Sequence, residues 1–164
     1  MNNAVQSTMV IERTYHADAE DLWDLWTTKE GFESWWGPEG FRADVHLIEA
    51  RPGGALHYDM VADTPQMLET MTRMGQPSST ACRGAFSEFK PHERLALTQS
   101  IDFLPGVAPY DSAMRVDFNQ VADGRVRMVV ELSHMHDEQF TQMQRMGFTS
   151  QLTKLDRRFG WSAS

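Results

Sequence analysis

Three polar residues stand at positions that the sequence pattern assigns to the apolar faces of strands. Tyr58, Gln99 and His134 each continue a period-two row of apolar side chains. A polar group in an apolar interior costs free energy unless it forms a hydrogen bond. These residues therefore either satisfy one another or a buried water, or they orient the polar end of a ligand. A neutral histidine near a tyrosine hydroxyl could also exchange protons with a substrate.

The segment from His134 to Glu138 has side chains that could hold a metal ion. Histidines two apart, as at positions 134 and 136, share a strand face, and paired imidazoles at that spacing can bind zinc. Asp137, however, is placed to cap the helix predicted after it, so the strand has ended and His136 points elsewhere. No third ligand stands at a fixed spacing. We therefore predict no metal site and no cofactor.

No arrangement in the sequence indicates a catalytic nucleophile. There is no Gly-x-Ser-x-Gly elbow, and Gly53-Gly54 forms a turn rather than a phosphate-binding loop because no helix follows it. Cys82 is the single cysteine and lies on a predicted apolar strand face, where a thiol is usually inert. We therefore assign no catalytic residue.

Composition limits the class of protein. A chain of 164 residues with no repeat or shift in composition predicts a single domain over residues 1–164. The net charge of −8 argues against nucleic acid or an anionic membrane as the main partner. No apolar run approaches the length of a membrane span, and residues 1–8 show no signal pattern. With one cysteine and therefore no internal disulfide, we expect a cytoplasmic protein without membrane insertion.

The spacing of apolar residues predicts the elements that would position these side chains. Alternation with period two predicts strands, and spacings of three and four predict helices. Asp18 is placed to cap a helix, Gly37-Pro38 ends one, and Asp123-Gly124 is a hairpin signal. The predicted order is a strand at 8–15, helices at 19–27 and 29–36, strands at 41–50 and 55–62, a helix at 65–74, two strands flanking a turn at 91–93, a loop at 104–109, two strands flanking 123–124, and a helix at 138–159.

These elements predict an α+β fold. Strands joined by short turns pair antiparallel, and a sheet with one apolar face must cover that face. The long helix near the C-terminus is the element available to do so. We therefore expect a seven-stranded, curved antiparallel sheet wrapped around the C-terminal helix, with two short helices after strand 1, one inserted helix after strand 3, and a hollow between the sheet and the long helix.

Four stretches of the sequence, taken as a set, resemble one family. They are Trp35-Trp36-Gly37-Pro38 with Phe41, Arg51-Pro52-Gly53-Gly54, Gly84-Ala85-Phe86 leading to Glu93-Arg94-Leu95, and residues 148–155 before Asp156-Arg157. On these residues the chain resembles the START-like superfamily, also called SRPBCC or helix-grip, and within it the homologues of the activator of the heat-shock chaperone ATPase. The resemblance implies the helix-grip fold. It leaves function open, because such folds host lipid carriers, hormone receptors and polyketide cyclases.

The first functional hypothesis is a binding protein whose internal cavity takes an apolar or amphipathic small molecule. Binding would come mainly from apolar burial in a largely preformed pocket. The predicted ligand-binding residues are Trp35, Tyr58, Met60, Phe86, Gln99, Met114, Phe118, Met128, His134, Met143 and Phe148.

Two other classes of function stay open. A cyclase or hydratase could hold its substrate in the same cavity while His134 or Tyr58 moves a proton. A chaperone-accessory or protein-interaction module, which the family label suggests, would need an outward apolar patch that the charged outer strand faces do not indicate.

Three further features each allow more than one interpretation. Met67, Met71 and Met74 predict either a helix buried against the sheet edge or a mobile lid over the cavity mouth. Trp35 and Trp36 predict packing over the open end of the sheet, with an indole N–H that could serve a ligand. The strand at 8–15 or the inserted helix could also pair two copies as a homodimer.

Overall fold

The computed structural model describes residues 8–102 and 106–160, and it confirms the predicted α+β helix-grip architecture. The first two residues of the predicted loop at 104–109 lie outside the described residues. The strands are β1 (Thr8–His16), β2 (Phe41–Ile48), β3 (Ala55–Ala62), β4 (Ser79–Lys90), β5 (Arg94–Ile101), β6 (Tyr110–Val121) and β7 (Arg125–Ser133). The helices are α1 (Ala19–Thr27), α2 (Lys29–Glu33), α3 (Pro65–Arg73) and α4 (Glu138–Phe159).

The strands form one seven-stranded sheet in the order β1-β7-β6-β5-β4-β3-β2. Every neighbouring pair is antiparallel, as short connections require. Because β1 and β2 lie at opposite edges, α1 and α2 carry the chain from one edge to the other. The first strand is therefore an edge strand that pairs only with the last.

Alternation along the strands separates an apolar face from a charged one. On β6 and β7, every second residue from Ser112 to Phe118 and from Val126 to Leu132 is buried. The opposite face carries ion pairs across the strands, such as Arg94 with Asp117 at 2.6 Å and Arg115 with Glu131 at 2.9 Å. The apolar face must therefore be covered by helices, as the sequence indicated.

Aromatic side chains from α1, from α2 and from the two tryptophans that follow α2 fill one part of the apolar face. Trp23 and Trp26 stand three residues apart, so both rings lie on the same side of α1. Trp26 meets the ring of Trp35 at 5.0 Å, and Phe32 stacks on Trp36 at 4.4 Å. From the sequence, only the long C-terminal helix was expected to cover this face. The structure instead divides it between α4 and this aromatic cluster.

α4 covers the rest of the apolar face and is fixed at both ends. Its first turn is capped by Asp137, whose carboxylate accepts a hydrogen bond from the Phe140 N–H at 2.8 Å, as predicted. Near its C-terminus, Asp156 accepts a hydrogen bond from the Tyr15 hydroxyl at 2.6 Å and contacts the Arg13 guanidinium at 3.2 Å. The helix is thereby tied to edge strand β1.

α3 lies on the surface and buries none of its residues. Met67 and Met71 are half-buried, whereas Leu68 and Met74 are exposed. Met67 packs on Gly40: a Cβ there would lie 2.9 Å from the Met67 methyl group, so a side chain at position 40 would displace the end of Met67. The helix therefore packs on the structure only through its half-buried residues, such as Met67 and Met71, instead of being buried against the sheet edge. Among the helices that the structure describes, none combines the length and the apolar character needed to cross a membrane.

Candidate functional site

Two pockets lie side by side along β3, β4 and β5 and share Tyr58, Met60 and Gln99. We call the first, of about 260 Å³, the strand pocket; it is lined by Tyr58, Met60, Thr80, Cys82, Arg83, Gln99, Ser100 and Ile101. We call the second, of about 170 Å³, the helix pocket, because α4 forms one wall of it. Its lining is Trp36, Tyr58, Met60, Gln99, Met114, Gln144, Gly147, Phe148 and Gln151.

Strand register brings the shared residues onto one face. Tyr58 pairs with Cys82, and Gln99 on β5 lies opposite Gly84 on β4. A Cβ at position 84 would lie 2.7 Å from the Thr98 carbonyl oxygen and 3.3 Å from the Gln99 Cγ. The glycine therefore gives the Gln99 side chain the space to cross β4 and reach Tyr58.

The Tyr58 hydroxyl is the polar centre of this region. It accepts hydrogen bonds from the Trp36 indole N–H at 3.1 Å and from the Gln99 amide N–H at 2.8 Å. Burial, and after it the nearby Cys82 thiol, raises the pKa of Tyr58 well above its ordinary value. The hydroxyl therefore stays neutral at physiological pH and gives up its proton less readily than an ordinary tyrosine does. Of the two predictions for these polar residues, mutual hydrogen bonding is correct for Tyr58 and Gln99.

Cys82 has the properties of a structural thiol. Burial is the main cause that raises its pKa to about 11. Since the thiolate is the nucleophilic form, almost none of it is present near neutral pH. Cys82 therefore contributes an apolar sulfur to the strand pocket rather than a reactive group.

The face of α4 that lines the helix pocket is polar and contains a gap. Gln151 is buried, and its Oε1 accepts a hydrogen bond from the Gly37 N–H at 3.0 Å. Its Nε2 is buried with no partner among the described residues, and so is the Oε1 of Gln144. Between them, a Cβ built on Gly147 meets no atom within 4 Å. The helix thus presents an unpaired donor, an unpaired acceptor and open space to the pocket.

Five of the predicted ligand-binding residues line these pockets, and four are packed elsewhere in the interior. The five are Tyr58, Met60, Gln99, Met114 and Phe148. Trp35 donates its indole N–H to the Leu25 carbonyl at 2.8 Å, which identifies it as a packing residue. Phe86, Phe118 and Met128 are buried without lining either pocket.

The remaining two predicted residues, His134 and Met143, need correction. β7 ends at Ser133, so His134 has left the row of inward-facing side chains and is exposed. Met143 is 54% exposed. It lies five positions before the buried Phe148, which places the two side chains on different sides of the helix. The inward face near the start of α4 instead carries Thr141 and Gln144.

Sequence reasoning missed Gln144 and Gln151 because it assigned the apolar residues of α4 to its inner face. The signal that could have found them is Gly147, a glycine in the middle of a helix with glutamines three before and four after it. Residues at those spacings share one helix face. Trp36 was considered, but the ligand-binding role was assigned to its neighbour Trp35.

Metal binding has little support in the described part of the chain. Over residues 8–102 and 106–160, no group of three or more His, Cys, Asp or Glu side chains could hold a metal ion. His136, from the segment considered for zinc, lies 2.9 Å from the Tyr110 hydroxyl through its Nδ1 and is exposed. The two pockets are therefore the strongest candidate site.

Comparison with known proteins agrees with the architecture. The family described as Activator of Hsp90 ATPase homolog 1-like protein matches residues 16–160. Comparison with curated proteins found no match. Among solved structures, the chain is similar to protein CV1439 from Chromobacterium violaceum, with 22% identity over 93% of this chain and 96% of that one and a TM-score of 0.73. It is likewise similar to the AHSA1 protein from Silicibacter pomeroyi, with 20% identity, the same two coverages and a TM-score of 0.70.

Structural likeness at this identity shows a shared fold and no more, whereas the family match covers most of the chain. The START-like resemblance read from the sequence is confirmed by both. The chain therefore belongs to the Activator of Hsp90 ATPase homolog 1-like protein family.

Proposed function

We propose that this chain binds an apolar or amphipathic small molecule in the strand and helix pockets. The pockets, of about 260 and 170 Å³, adjoin at Tyr58, Met60 and Gln99, so one elongated molecule could occupy both. Their walls are mostly apolar, with a few polar groups, which is the usual composition of a small-molecule site. Apolar burial would supply most of the binding free energy.

The observation that carries the proposal is the glycine at position 147. A glycine inside a helix destabilises it by about 0.5–1 kcal/mol relative to alanine. That cost is usually explained by close packing, yet a Cβ at Gly147 would meet no atom within 4 Å. The glycine instead widens the helix pocket, which is the effect expected if a ligand lies against this part of α4.

The proposal is tested with N-phenyl-1-naphthylamine, a neutral dye that becomes fluorescent in apolar surroundings. Gly147→Leu places a side chain in the helix pocket and favours the helix. Gln139→Leu is the matched control, because it adds the same side chain at an exposed position of the same helix. Circular dichroism and thermal melting would establish that both variants are folded.

We expect saturable dye binding by the natural chain and by Gln139→Leu. Binding by folded Gly147→Leu should be at least about tenfold weaker, a loss of about 1.4 kcal/mol. If the natural chain does not bind the dye, or if folded Gly147→Leu binds it equally well, the proposal is wrong.

The cyclase or hydratase alternative has less support. It relied on proton transfer by Tyr58 or His134. The raised pKa of Tyr58 makes its hydroxyl a weaker proton donor than an ordinary tyrosine, and His134 is exposed beyond the end of β7. A chaperone-accessory role would use the outer surface, and capture of the chaperone ATPase by the immobilised chain would be its test.

A further inference from the structure

We infer that the ligand carries an uncharged polar group that accepts a hydrogen bond, such as a hydroxyl or a primary amide, and that Gln151 and Gln144 bind it. This inference rests on the proposed function and specifies the chemistry of the ligand.

The first step is the orientation of the Gln151 amide. Its side chain is only 4% exposed. The Gly37 backbone N–H donates to its Oε1 at 3.0 Å, and exchanging the oxygen and nitrogen would set two donors against each other. The Nε2 amide is therefore fixed as a donor, and it is buried with no acceptor among the described residues. A buried donor left unpaired is costly, so an acceptor brought by a ligand would be favoured.

The second step is a second amide on the same helix face. Gln144 lies seven residues before Gln151, about 10 Å along the helix axis at 1.5 Å per residue. Its Oε1 is also buried without a described partner. Gly147 lies between them and leaves the helix surface open. A polar group lying over this opening would accept from the Gln151 Nε2 and bond to the Gln144 amide, which no other hydrogen bond among the described residues holds in one orientation.

The third step is the charge of the surroundings. Of the nine residues that line the helix pocket, none carries a charge. Lys154, one turn beyond Gln151, donates to the carbonyl oxygens of Gly37 at 2.8 Å and Phe41 at 3.2 Å. Arg83 in the strand pocket is already paired with Asp102. A carboxylate or an ammonium group would therefore have no counter-ion among the lining residues, which is unfavourable in a largely apolar site.

The test compares three probes that share one ring system, measured by displacement of N-phenyl-1-naphthylamine at pH 7. These are 2-naphthol, which is neutral because a phenol has a pKa near 10, 2-methylnaphthalene, which lacks a polar group, and anionic 2-naphthoate. We expect 2-naphthol to bind about five- to twentyfold more tightly than 2-methylnaphthalene, the effect of about one hydrogen bond to a buried group. We expect 2-naphthoate to bind most weakly.

Variants identify the groups responsible. Gln144→Met removes an acceptor that has no described partner, so it should leave the fold intact, whereas Gln151→Met also removes the bond to Gly37. Each should reduce the preference for 2-naphthol over 2-methylnaphthalene to about twofold or less. Gln139→Met, the same change at an exposed position of α4, should keep the full preference.

The outcomes separate this inference from the proposed function. Binding of 2-methylnaphthalene as tight as that of 2-naphthol, a preference unchanged in folded Gln144→Met, or tightest binding of 2-naphthoate would each overturn the inference while leaving a binding pocket. If the dye and all three probes fail to bind the natural chain, the proposed function fails, and the inference fails with it.

Discussion

Removing the Tyr58 hydroxyl tests the hydrogen bonds at the centre of the two pockets. Tyr58→Phe deletes one oxygen and leaves the ring in place. The Trp36 N–H then loses its acceptor, and Trp36 is only 4% exposed, so no water can replace it easily. The Gln99 amide loses its 2.8 Å partner as well, but it is half-buried and lines the strand pocket, where it can turn toward water.

The expected cost follows from these two donors. A buried donor left unpaired costs about 1–3 kcal/mol. We expect the unpaired Trp36 N–H to lower the free energy of unfolding by a value near the middle of that range, and the Gln99 amide to lower it very little. Part of this loss is offset, because phenylalanine has no hydroxyl that must be desolvated on folding. We therefore expect a loss of about 1–2 kcal/mol in the free energy of unfolding, or about 2–8 °C in Tm for a chain of this size.

Urea unfolding followed by tryptophan fluorescence and by circular dichroism would measure the loss. Tyr110→Phe is the matched control, because its hydroxyl bonds to the exposed His136 at 2.9 Å and should contribute less than about 0.5 kcal/mol. If Tyr58→Phe is as stable as the natural chain, the hydroxyl is not the shared acceptor of Trp36 and Gln99, and the described geometry of the pocket is wrong.

Two further predictions concern the packing around the pockets. Phe118→Ala should lower the free energy of unfolding by about 3–5 kcal/mol, because Phe118 is buried and its ring lies 5.8 Å from the Trp23 ring. Met114→Ala should lower it clearly less in the same urea titrations, since Met114 already lines the helix pocket. Equal losses would mean that no open space lies beside Met114. The rate of Cys82 alkylation by iodoacetamide should keep rising up to pH about 11 instead of levelling off near the ordinary thiol pKa of 9.0. Because the folded state holds this proton more tightly, the contribution of Cys82 to stability is full below pH 9.0 and falls as the pH approaches 11. An alkylation rate that levels off near pH 9 would contradict the burial of Cys82.

The elements of the fold could be predicted because their signals are local. Strand β3 and helices α1 and α4 begin and end where the spacing and the turn residues indicated, although Asp18, predicted to cap α1, makes no side-chain hydrogen bond at that position. Period-two alternation specifies which side of a strand is buried without reference to the rest of the chain. For that reason the inward-facing residues Tyr58, Met60, Gln99 and Met114 were identified correctly as members of one face.

The site was harder to predict because it depends on what the apolar face packs against. Phe86, Phe118 and Met128 share that face with Tyr58, but they lie against other side chains, such as Phe89 beside Phe86 at 5.4 Å, rather than against a pocket. The inner face of α4 is polar where the helix pocket forms, so a search for apolar stripes selected Met143 and overlooked Gln144. Distinguishing core from pocket required the tertiary arrangement.

The most direct test of the central claim is the position of a bound apolar molecule. Methyl-labelled methionine provides reporters in the pockets, at Met60 and Met114, and on the exposed surface, at Met74 and Met146. On addition of N-phenyl-1-naphthylamine, NMR spectra should show large, saturable shifts and contacts with the dye at Met60 and Met114 and no change at Met74 and Met146. Shifts confined to the exposed methionines, or no saturable shift at all, would contradict the claim that the strand and helix pockets bind a small molecule.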